Sequence, residues 1–393
     1  MRRAVISLNS GSSSIKFALF DLEGGEPVLV AGGKIERIGT APRLIARHAD
    51  GRLLAEREWP AWTGHDKLLA DLFGWGATRL DGRRVIGIGH RVVHGGTDFA
   101  APEQVDSALL DALEALSPLA PLHQPHNLSA MRSIVRFCPD LPQVACFDTA
   151  FHHSRPEVAT RFALPRALHD LGIRRYGFHG LSYEYVVHRL AHVDPALAAG
   201  KVIVAHLGNG ASLCAMASGR SVDTSMGFTS LDGLVMGTRC GAIDPGVVLH
   251  LQTALGMSVS DVEDLLYRRS GLLGMSGLSG DMRTLSASSA PEAGEAIEAF
   301  AWRAAREAGG LVSSLGGLDG LVFTAGIGEN DAATRARICE RLGWAGVAID
   351  ADANARHDAV ISTPQSAVTV RIVPTDEEWM IARHTIDSIG AGA

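Results

Sequence analysis

A strand–loop–strand pattern that occurs twice constrains this chain most. Its second copy begins with an apolar run at residues 202–204, turns at Gly208-Asn209-Gly210 and continues as Ala211–Ala217. Glycines on both sides of an asparagine suit a turn whose backbone N–H groups point outward. Such a loop can surround an anionic oxygen with N–H donors, although an ordinary β-hairpin would show the same pattern.

The first copy of the pattern lies near the start of the chain. Residues 5–19 read VISLNSGSSSIKFAL, and the loop from Asn9 to Ser14 is rich in hydroxyl and N–H groups, with Lys16 just beyond it. Lys16 suits either a phosphate contact or the solvation of a strand edge. Two such units about half a chain apart predict two related lobes that face one cleft. This plan is typical of nucleotide-dependent phosphotransferases.

Composition argues against several classes of function. The chain has 393 residues, enough for two ordinary domains, and its net charge of −7 argues against a nucleic-acid binder. It contains no apolar run of membrane-spanning length, and residues 1–11 lack the sustained apolar region of a signal peptide. The five cysteines show no metal-ligand spacing and no disulfide framework. We therefore expect a cytoplasmic protein.

Two strand ends in the first half of the chain carry candidate site residues. The strand at 84–90 leads into Arg91 and then Gly95-Gly96, which suits a cleft, although a surface arginine is the alternative. The strand at 143–147 ends at Asp148, where ligands bind in open α/β sheets, although a cap of a helix or turn is equally plausible. The sequence changes character after this point, so we place a domain boundary near residue 150.

The second half of the chain carries further candidates. His179 lies between an aromatic residue and a glycine just before a helix at 182–190; it points into a cleft or is a structural histidine, and the same choice holds for His206. The glycine-rich segment 227–241 contains a single cation, Arg239, which indicates an anion site rather than a spacer. Residues 271–283 are predicted as a flexible loop.

The chain's last part contains two more patterns. An apolar strand at 321–324 runs into Ala325-Gly326-Ile327-Gly328-Glu329-Asn330, a turn that suits phosphate binding but lacks the longer dinucleotide fingerprint. A helix at 332–342 capped by Asp331 follows it. Thr375 and Glu378 predict a capping box that leaves Glu377 for another task, or for complementing the helix dipole.

Together these stretches resemble the acetokinase family, within the superfamily of actin, sugar kinases and heat-shock ATPases. The motifs HRVVHGG, FDTAFH, YGFHGLSY, HLGNGASL, DTSMGFT, GLVMGTRCGAIDPG and FTAGIGEN follow the family's order, and the likeness extends from Asn9 to Glu378. The resemblance implies an α/β fold of two ribonuclease-H-like lobes, with mixed sheets flanked by helices and the active site in the interlobe cleft. Residues 1–150, completed by a helix at 376–393, would form the acyl and metal side, and residues 151–375 would bind the nucleotide.

The family implies reversible, direct phosphoryl transfer from ATP to acetate, with Mg²⁺ or Mn²⁺, in a homodimer. A propionate or other short-chain acyl kinase is the nearest alternative, and a non-catalytic nucleotide-binding protein is another. The resemblance assigns catalysis to Arg91, Asp148, His179 and Arg239, and the metal to Asn9 and Glu377. We predict that Arg91, Val93, Leu122, Phe178 and Ser230 bind the acyl substrate, because Val93, Leu122 and Phe178 flank the matched motifs and can supply an apolar wall. The resemblance assigns the nucleotide to Ser12, Ser13, Lys16, His206, Gly208, Asn209, Gly210, Asp281, Met282, Arg283, Gly326, Ile327, Gly328 and Asn330.

Three short segments depart from the family's pattern. The acyl loop, usually Thr-Pro-Leu-Glu-Gly, reads TSLDG at 229–233, so that Ser230 replaces a rigid proline. The connector His-Asn-Pro is HQP at 123–125, and the adenosine loop Ser-Ser-Asp-x-Arg-Asp is SGDMRT at 279–284. The charged groups are intact, so these changes bear on acyl-chain and nucleotide preference.

Overall fold

The computed structural model of the protein describes residues 2–121 and 123–390, and only the backbone of Glu23. The strands are β1 (Arg2–Ser10), β2 (Ile15–Glu23), β3 (Glu26–Glu36), β4 (Arg43–His48), β5 (Leu53–Glu58), β6 (Arg83–Val92), β7 (Glu103–Gln104), β8 (Gln143–Phe147), β9 (Lys201–Leu207), β10 (Ala211–Ala217), β11 (Arg220–Thr224), β12 (Gly320–Thr324) and β13 (Thr369–Ile372).

The α-helices lie between these strands and at the end of the chain. They are α1 (His65–Ala77), α2 (Ser107–Ala115), α3 (Gln124–Phe137), α4 (Glu157–Thr160), α5 (Arg166–Asp170), α6 (Gly180–Val193), α7 (Pro195–Ala198), α8 (Pro245–Thr253), α9 (Val259–Arg268), α10 (Gly271–Ser276), α11 (Met282–Ser286), α12 (Pro291–Leu315), α13 (Ala325–Asn330), α14 (Ala332–Arg341), α15 (Ala351–Ala355) and α16 (Glu377–Ser388). Short 3₁₀ turns occupy Ser117–Leu119, Ala150–Ser154 and Gly343–Ala345.

The chain divides into two compact units. Unit 1 contains the residues up to Ala150 and those from Asp376 onward, and unit 2 is Phe151–Thr375. Unit 1 holds an eight-stranded sheet in the order β5-β4-β3-β2-β1-β6-β8-β7, and unit 2 holds a five-stranded sheet in the order β11-β10-β9-β12-β13. Both sheets are mixed, since antiparallel hairpins adjoin parallel strands.

The two sheets share one strand plan. In each sheet an antiparallel hairpin, β1–β2 or β9–β10, is followed by two strands parallel to the first of the hairpin, β6 and β8 or β12 and β13. Strands β3-β2-β1-β6-β8 therefore repeat the order of β11-β10-β9-β12-β13. The predicted repeat of strand–loop–strand units and the predicted fold class are confirmed.

Helices cover both faces of the unit 1 sheet. The alternation along β1 puts Leu8 on the face covered by α1 and α3, in one apolar cluster with Leu68 and Ile134. Val5 faces the other way and packs with Ala382 of α16. The last helix of the chain is thereby fixed against the first strand, which brings residues 376–378 to the unit that contains Asn9.

The five-stranded sheet of unit 2 is also covered by helices. Tyr183, Val186 and Leu190 of α6 pack on strand residues that include Val204 and Met216. The long helix α12 packs against β9, β10 and β11. The strand β9 is buried along nearly its whole length, as expected for a central strand with helices on both faces.

Three local predictions were wrong. The predicted turn at 325–330 is a short helix, α13. The predicted flexible loop at 271–283 contains a helix, α10, and the start of another, α11. The predicted capping box of the last helix is absent, because the N-cap is Asp376, whose Oδ1 accepts a hydrogen bond from the backbone of Trp379 at 2.8 Å. The hydroxyl of Thr375 bonds Ser182 instead.

Two further observations concern the helices and the cysteines. None of the helices among the described residues is long and apolar enough to cross a membrane. All five cysteines are free thiols.

Candidate active site

Three parallel strands of unit 1 end at one edge of the sheet, and predicted site residues lie at each end. Asn9 is near the end of β1, Arg91 near the end of β6, and Asp148 directly follows β8. The strands are neighbours in the order β1-β6-β8 and run parallel. Ligands bind at this edge in open α/β sheets, so the fold brings Asn9, Arg91 and Asp148 to a position suited to binding.

Arg91 and Asp148 form a buried ion pair. The Nε of Arg91 lies 3.1 and 3.0 Å from the two carboxylate oxygens of Asp148, and Nη2 lies 2.6 Å from Oδ2. The side chain of Asp148 is 1% exposed and that of Arg91 is 20% exposed. Burial opposes the charge of Arg91, but the carboxylates of Asp148 and Glu377 outweigh this effect and raise its pKa. Arg91 is therefore a fixed, oriented cation.

The start of α16 adds two more carboxylates. Oε2 of Glu377 lies 3.9 Å from Nη1 of Arg91. Burial raises the pKa of Glu378, while the charge of Lys16 opposes the rise. Lys16 itself is exposed and stands opposite Asn9 in the β1–β2 register. The edge of the sheet thus combines cations that suit an anionic substrate with carboxylates that suit a metal ion.

The residues assigned to a metal fit Mg²⁺ by their chemistry. The amide oxygen of Asn9 and the carboxylate of Glu377 are hard oxygen donors. Within the described residues, no group of three or more His, Cys, Asp and Glu side chains could hold a metal ion. Mg²⁺ keeps several waters and binds through one or two carboxylates together with substrate phosphates. Asn9 and Glu377 supply only a few protein oxygens, with other carboxylates nearby, and such a set fits this mode of Mg²⁺ binding.

The loop between β1 and β2 is tied to its surroundings by an asparagine of α3. The backbone N of Gly11 donates to the carbonyl of Ser14 at 2.9 Å. Asn127 donates to the carbonyl of Ser10 at 2.7 Å and accepts from the backbone N of Val93 at 3.2 Å. The loop after β1 and the residue after β6 are therefore held by one buried side chain.

The remaining predicted residues of unit 1 differ in exposure. Ser12 and Ser13 are exposed on the loop, where their hydroxyl and N–H groups are open to a ligand. Val93 is buried, 7% exposed. Leu122 lies outside the described residues.

The second loop, in unit 2, approaches the glycine-rich segment that contains Arg239. The backbone N of Gly237 donates to the carbonyl of Asn209 at 3.0 Å. A Cβ at Gly237 would lie 2.0 Å from Oδ1 of Asn209 and 2.9 Å from the carbonyl of Gly280, so a larger residue would displace one or both. Asn209 itself is exposed and flanked by the half-buried Gly208 and Gly210.

Arg239 and His179 meet at this loop. A Cβ at Gly210 would lie 3.4 Å from both Nη2 of Arg239 and Nε2 of His179. Nη1 of Arg239 donates to the carbonyl of Ser230 at 2.8 Å. The predicted acyl-loop residue therefore orients Arg239 through its backbone. A cation, an imidazole and a glycine loop thus converge, an arrangement that suits a phosphoryl group.

His179 is held in a strained but well-supported conformation. It is the N-cap of α6 with φ of 59°, which is uncommon for a residue other than glycine. Its Nδ1 lies 2.8 Å from the hydroxyl of Ser212, which also bonds the hydroxyl of Tyr183. Its ring stacks on that of His206 with centroids 4.2 Å apart. This support aims Nε2 of His179 at Gly210.

His206 belongs to the same network through its other side. Its Nδ1 lies 2.8 Å from the hydroxyl of Ser182, which in turn bonds Thr375 at 2.8 Å. Phe178, the residue before His179, is buried and its carbonyl lies 2.9 Å from Nε2 of His152. Both histidines at the loop are therefore positioned by buried partners.

The segment after β12 lies beside the glycine loop. A Cβ at Gly208 would lie 3.7 Å from that of Ala325, whose φ is 65°. The carboxylate of Glu329 accepts from the backbone N of Ala325 at 2.8 Å and of Thr375 at 3.1 Å. Gly326 is exposed, and a Cβ there would meet nothing within 4 Å. The remaining predicted residues of this segment are Ile327, which is half-buried, Gly328, which is buried, and Asn330, which is exposed.

The predicted adenosine loop packs on the glycine-rich segment at 227–241. A Cβ at Gly280 would lie 2.7 Å from the carbonyl of Gly237, which places the loop next to Asn209. Asp281 caps α11 by accepting from Thr284 at 2.9 Å, and this hydrogen bond lowers the pKa of Asp281. Arg283 is exposed. Met282 is 4% exposed, so its side chain supports the loop from inside.

The structure adds residues that the sequence reasoning did not single out. Glu378 joins the carboxylates of unit 1; its position next to Glu377 was a signal, but the predicted capping box absorbed it. Asn127 and Ser212 hold the loop after β1 and the ring of His179 through contacts distant in sequence. Ser212 lies in the motif HLGNGASL, but the motif itself does not indicate this contact.

The fold and these clusters define a class: an α/β protein of two similar units, with a sheet edge that carries Arg91 among carboxylates in one and a glycine loop beside Arg239 and His179 in the other. The chain belongs to the acetokinase family, whose model matches residues 4–383.

Relatives resemble the chain over its whole length. It is 53% identical over 390 residues to an acetate kinase of Rhodopseudomonas palustris, covering 98% of each chain, and 50% identical over 395 residues to one of Methylocella silvestris, again covering 98% of each. Among solved structures, a propionate kinase from Francisella tularensis is 37% identical with a TM-score of 0.91, covering 98% of this chain and 99% of its own. The acetate kinase of Porphyromonas gingivalis is 35% identical with a TM-score of 0.87, covering 98% of this chain and all of its own.

Proposed function

We propose that the protein is an acetate kinase, which transfers the γ-phosphoryl group of ATP to acetate and forms acetyl phosphate and ADP reversibly. The observation that carries this proposal is the full-length similarity to acetate kinases in a chain that retains the Arg91–Asp148 pair and the Arg239–His179 convergence. A protein that only binds nucleotides has no need of a second fixed cation for a carboxylate.

The reaction requires charge neutralisation more than proton transfer. Acetate is already a nucleophile, so no strong base is needed, but an anion must approach a polyanionic phosphate chain. Fixed cations and positioning supply most of the catalysis in phosphoryl transfer. Arg91, oriented by Asp148, binds the carboxylate in this account. Val93, Leu122, Phe178 and Ser230 are the proposed acyl-site residues.

The cluster of unit 2 serves the phosphoryl group and the nucleotide. Arg239 neutralises charge on the transferring group, and Nε2 of His179 donates a hydrogen bond to it. The backbone N–H groups of the loop at 208–210 bind phosphate oxygens. The segments at 281–283 and 326–330 bind the adenosine part, and Ser12, Ser13, Lys16 and His206 complete the proposed nucleotide contacts.

Asn9 and Glu377 would hold Mg²⁺. Bound there, the ion neutralises phosphate charge and orients the phosphate chain. Arg91 keeps its cationic form beside these acids, because the carboxylates of Asp148 and Glu377 favour its charged state.

A preference for propionate is the second candidate function, because the solved propionate kinase shares the fold at 37% identity. Ser230 stands where the family pattern has a proline, and we infer a more open and more polar acyl wall. One methylene in an apolar pocket is worth only ~1–3 kcal/mol, so the preference for acetate over propionate should be modest.

The test is kcat/KM for acetate, propionate and butyrate at saturating ATP in the wild type and in Ser230→Pro. Ser230→Pro should sharpen the preference for acetate, and Ser230→Ala is the control that removes the hydroxyl without fixing the backbone. Equal acetate-to-propionate ratios in the wild type and Ser230→Pro would exclude Ser230 from the acyl site. Faster turnover of propionate than acetate in the wild type would favour the second function.

We also propose a homodimer in the cytoplasm. No residue of α8 is buried, and its Val247 and Leu249 are 42% and 61% exposed, as expected for a helix that a second copy covers. The free thiols suit a reducing compartment. Sedimentation should show a dimer that Leu249→Glu dissociates and Leu53→Glu, on an exposed site of unit 1, leaves intact. A monomeric wild type would contradict the proposal.

A further inference from the structure

Unit 1 contains a cavity of about 460 Å³ away from the edge that carries Arg91. It lies between the sheet, where Leu8, Phe17 and Ile88 line it, and the helical layer, where Leu72 and Ile134 line it. Its size falls in the usual range of small-molecule sites, about 300–1,000 Å³. Because side chains alternate along a strand, Leu8 and Phe17 face the cavity while their neighbours Asn9 and Lys16 face the other side. The cavity is therefore separate from the candidate active site.

The cavity wall is apolar almost throughout. The sheet and helices contribute aliphatic and aromatic side chains, including Trp75. Apart from the thiol of Cys138, the ionisable side chains of the lining are His48, Arg79 and Asp81. Arg79 and Asp81 are both exposed, and Arg83, 3.8 Å from Asp81, is itself paired with the buried Asp21. The lining thus suits a molecule with a long apolar body and one polar end, and Arg79 is the cation that can bind a carboxylate there.

The helix that covers the cavity is built to admit such a molecule. The last turns of α1 contain Gly74 and Gly76, and a Cβ at either position would meet no atom within 4 Å. Packing therefore does not demand glycine there, although glycine inside a helix costs stability relative to alanine. Gly76 lines the cavity and Gly74 does not. Because packing requires neither glycine, we infer that the end of α1 is easily displaced.

From these observations we propose that the cavity binds an amphiphilic carboxylate, such as a medium-chain fatty acid, with its chain among Leu8, Phe17 and Trp75 and its carboxylate at Arg79. The apolar wall selects the chain, and Arg79 selects the carboxylate over an alcohol or an amine. This site is independent of the acetate kinase function proposed above.

Trp75 gives a direct readout of occupancy. Decanoate brominated near the end of its chain should quench the tryptophan fluorescence of the wild-type protein in a saturable manner. In Trp75→Phe, which keeps an aromatic ring, the saturable part of the quenching should be lost. Quenching that stays the same in Trp75→Phe would place the ligand elsewhere and overturn the proposal.

Two matched pairs of variants test the wall and the cation. Gly76→Leu fills the cavity and should weaken decanoate binding at least ~10-fold, whereas Gly74→Leu, on the same helix outside the lining, should bind normally. Arg79→Gln should weaken decanoate binding about three-fold, the effect of an exposed ion pair, and leave decanol unaffected; Arg84→Gln, also exposed, should change neither ligand. Circular dichroism confirms that each variant is folded.

Three results would overturn the proposal. They are the absence of saturable quenching in the wild type, equal decanoate affinity in the two glycine variants, and wild-type preference for decanol or decylamine over decanoate.

Discussion

Arg91 and Arg239 are each oriented by an oxygen atom of their own unit. A buried carboxylate, that of Asp148, holds Arg91, while a backbone carbonyl, that of Ser230, holds Arg239. A side chain fixed in this way loses little further entropy when a substrate binds, so its charge is available where the reaction needs it.

Removing either arginine should therefore affect turnover more than nucleotide binding. Arg91→Ala and Arg239→Ala should each lower kcat at least ~10²-fold, the usual cost of losing one transition-state contact. The dissociation constant of ATP should change less. Arg268→Ala, at an exposed ion pair of α9, is the control. Near-normal turnover in either variant would remove that arginine from the catalytic site.

The carboxylates near Arg91 lead to a second prediction at this scale. If Glu377 binds Mg²⁺ and Asp148 organises the metal site through Arg91, then Glu377→Ala and Asp148→Asn should lower the rate and raise the Mg²⁺ concentration for half-maximal activity. Glu340→Ala, on α14, is the matched control. Mg²⁺ titrations that coincide with the wild type in both variants would leave these acids a structural role only.

The start of α16 shows how one cap positions the first turn of a helix. Asp376 accepts from the backbone of Trp379, and the next two side chains, Glu377 and Glu378, lie near Arg91 and Lys16. Asp376→Ala should lower the free energy of unfolding by about 1 kcal/mol, the usual value of an N-cap. Thr375→Val, which removes the hydroxyl predicted as the cap, should cost less at this helix.

Urea denaturation of the two variants decides between the caps. The structure predicts the larger loss for Asp376→Ala. A larger loss for Thr375→Val, with Asp376→Ala close to the wild type, would restore the capping box that the sequence predicted.

The elements were predictable wherever a local pattern determined them. The apolar runs predicted β8, β10 and β12, and Asp331 caps α14 as predicted. The helix α10 was missed because glycine and serine at 271–280 suggested a loop, whereas its buried Leu272 is fixed by tertiary packing. Tertiary packing of this kind overrides the intrinsic conformational preference of the residues.

The candidate site, too, was predictable only where its residues follow a local sequence pattern. Residues at strand ends, such as Asp148, carry a local signal. Asn127 and Ser212 act across long sequence separations. Ser212 lies in the motif HLGNGASL, but nothing local links it to His179, so only the folded chain identifies what either residue does.

The whole molecule carries buried histidines in both units. Burial lowers the pKa of His90 to about 4, although its hydrogen bond to Gln143 opposes the shift, and burial lowers that of His152 to about 3. An unfolded chain protonates these residues near pH 6.5. The unfolded state thus binds more protons in acid, and stability must fall as the pH drops from about 6.5 towards 4.

Each such histidine should contribute a slope of about 1 kcal/mol per pH unit to the free energy of unfolding across that range. Urea denaturation between pH 4.5 and 7.5 measures the slope. His90→Gln should reduce it, and His250→Gln, at an exposed position, should not. A slope that does not change in His90→Gln would contradict the buried, neutral state of His90.

Two units with one strand plan, one carrying a fixed cation among carboxylates and the other a glycine loop with Arg239 and His179, are interpreted here as the parts of an acetate kinase. The most direct test supplies [γ-³²P]ATP, Mg²⁺ and acetate to the wild-type protein and traps acetyl phosphate with hydroxylamine. An acetate kinase forms acetohydroxamate and ADP in equal amounts in this assay, and both products depend on acetate. ADP formation without acetate, or label recovered as inorganic phosphate with no hydroxamate, would contradict this interpretation.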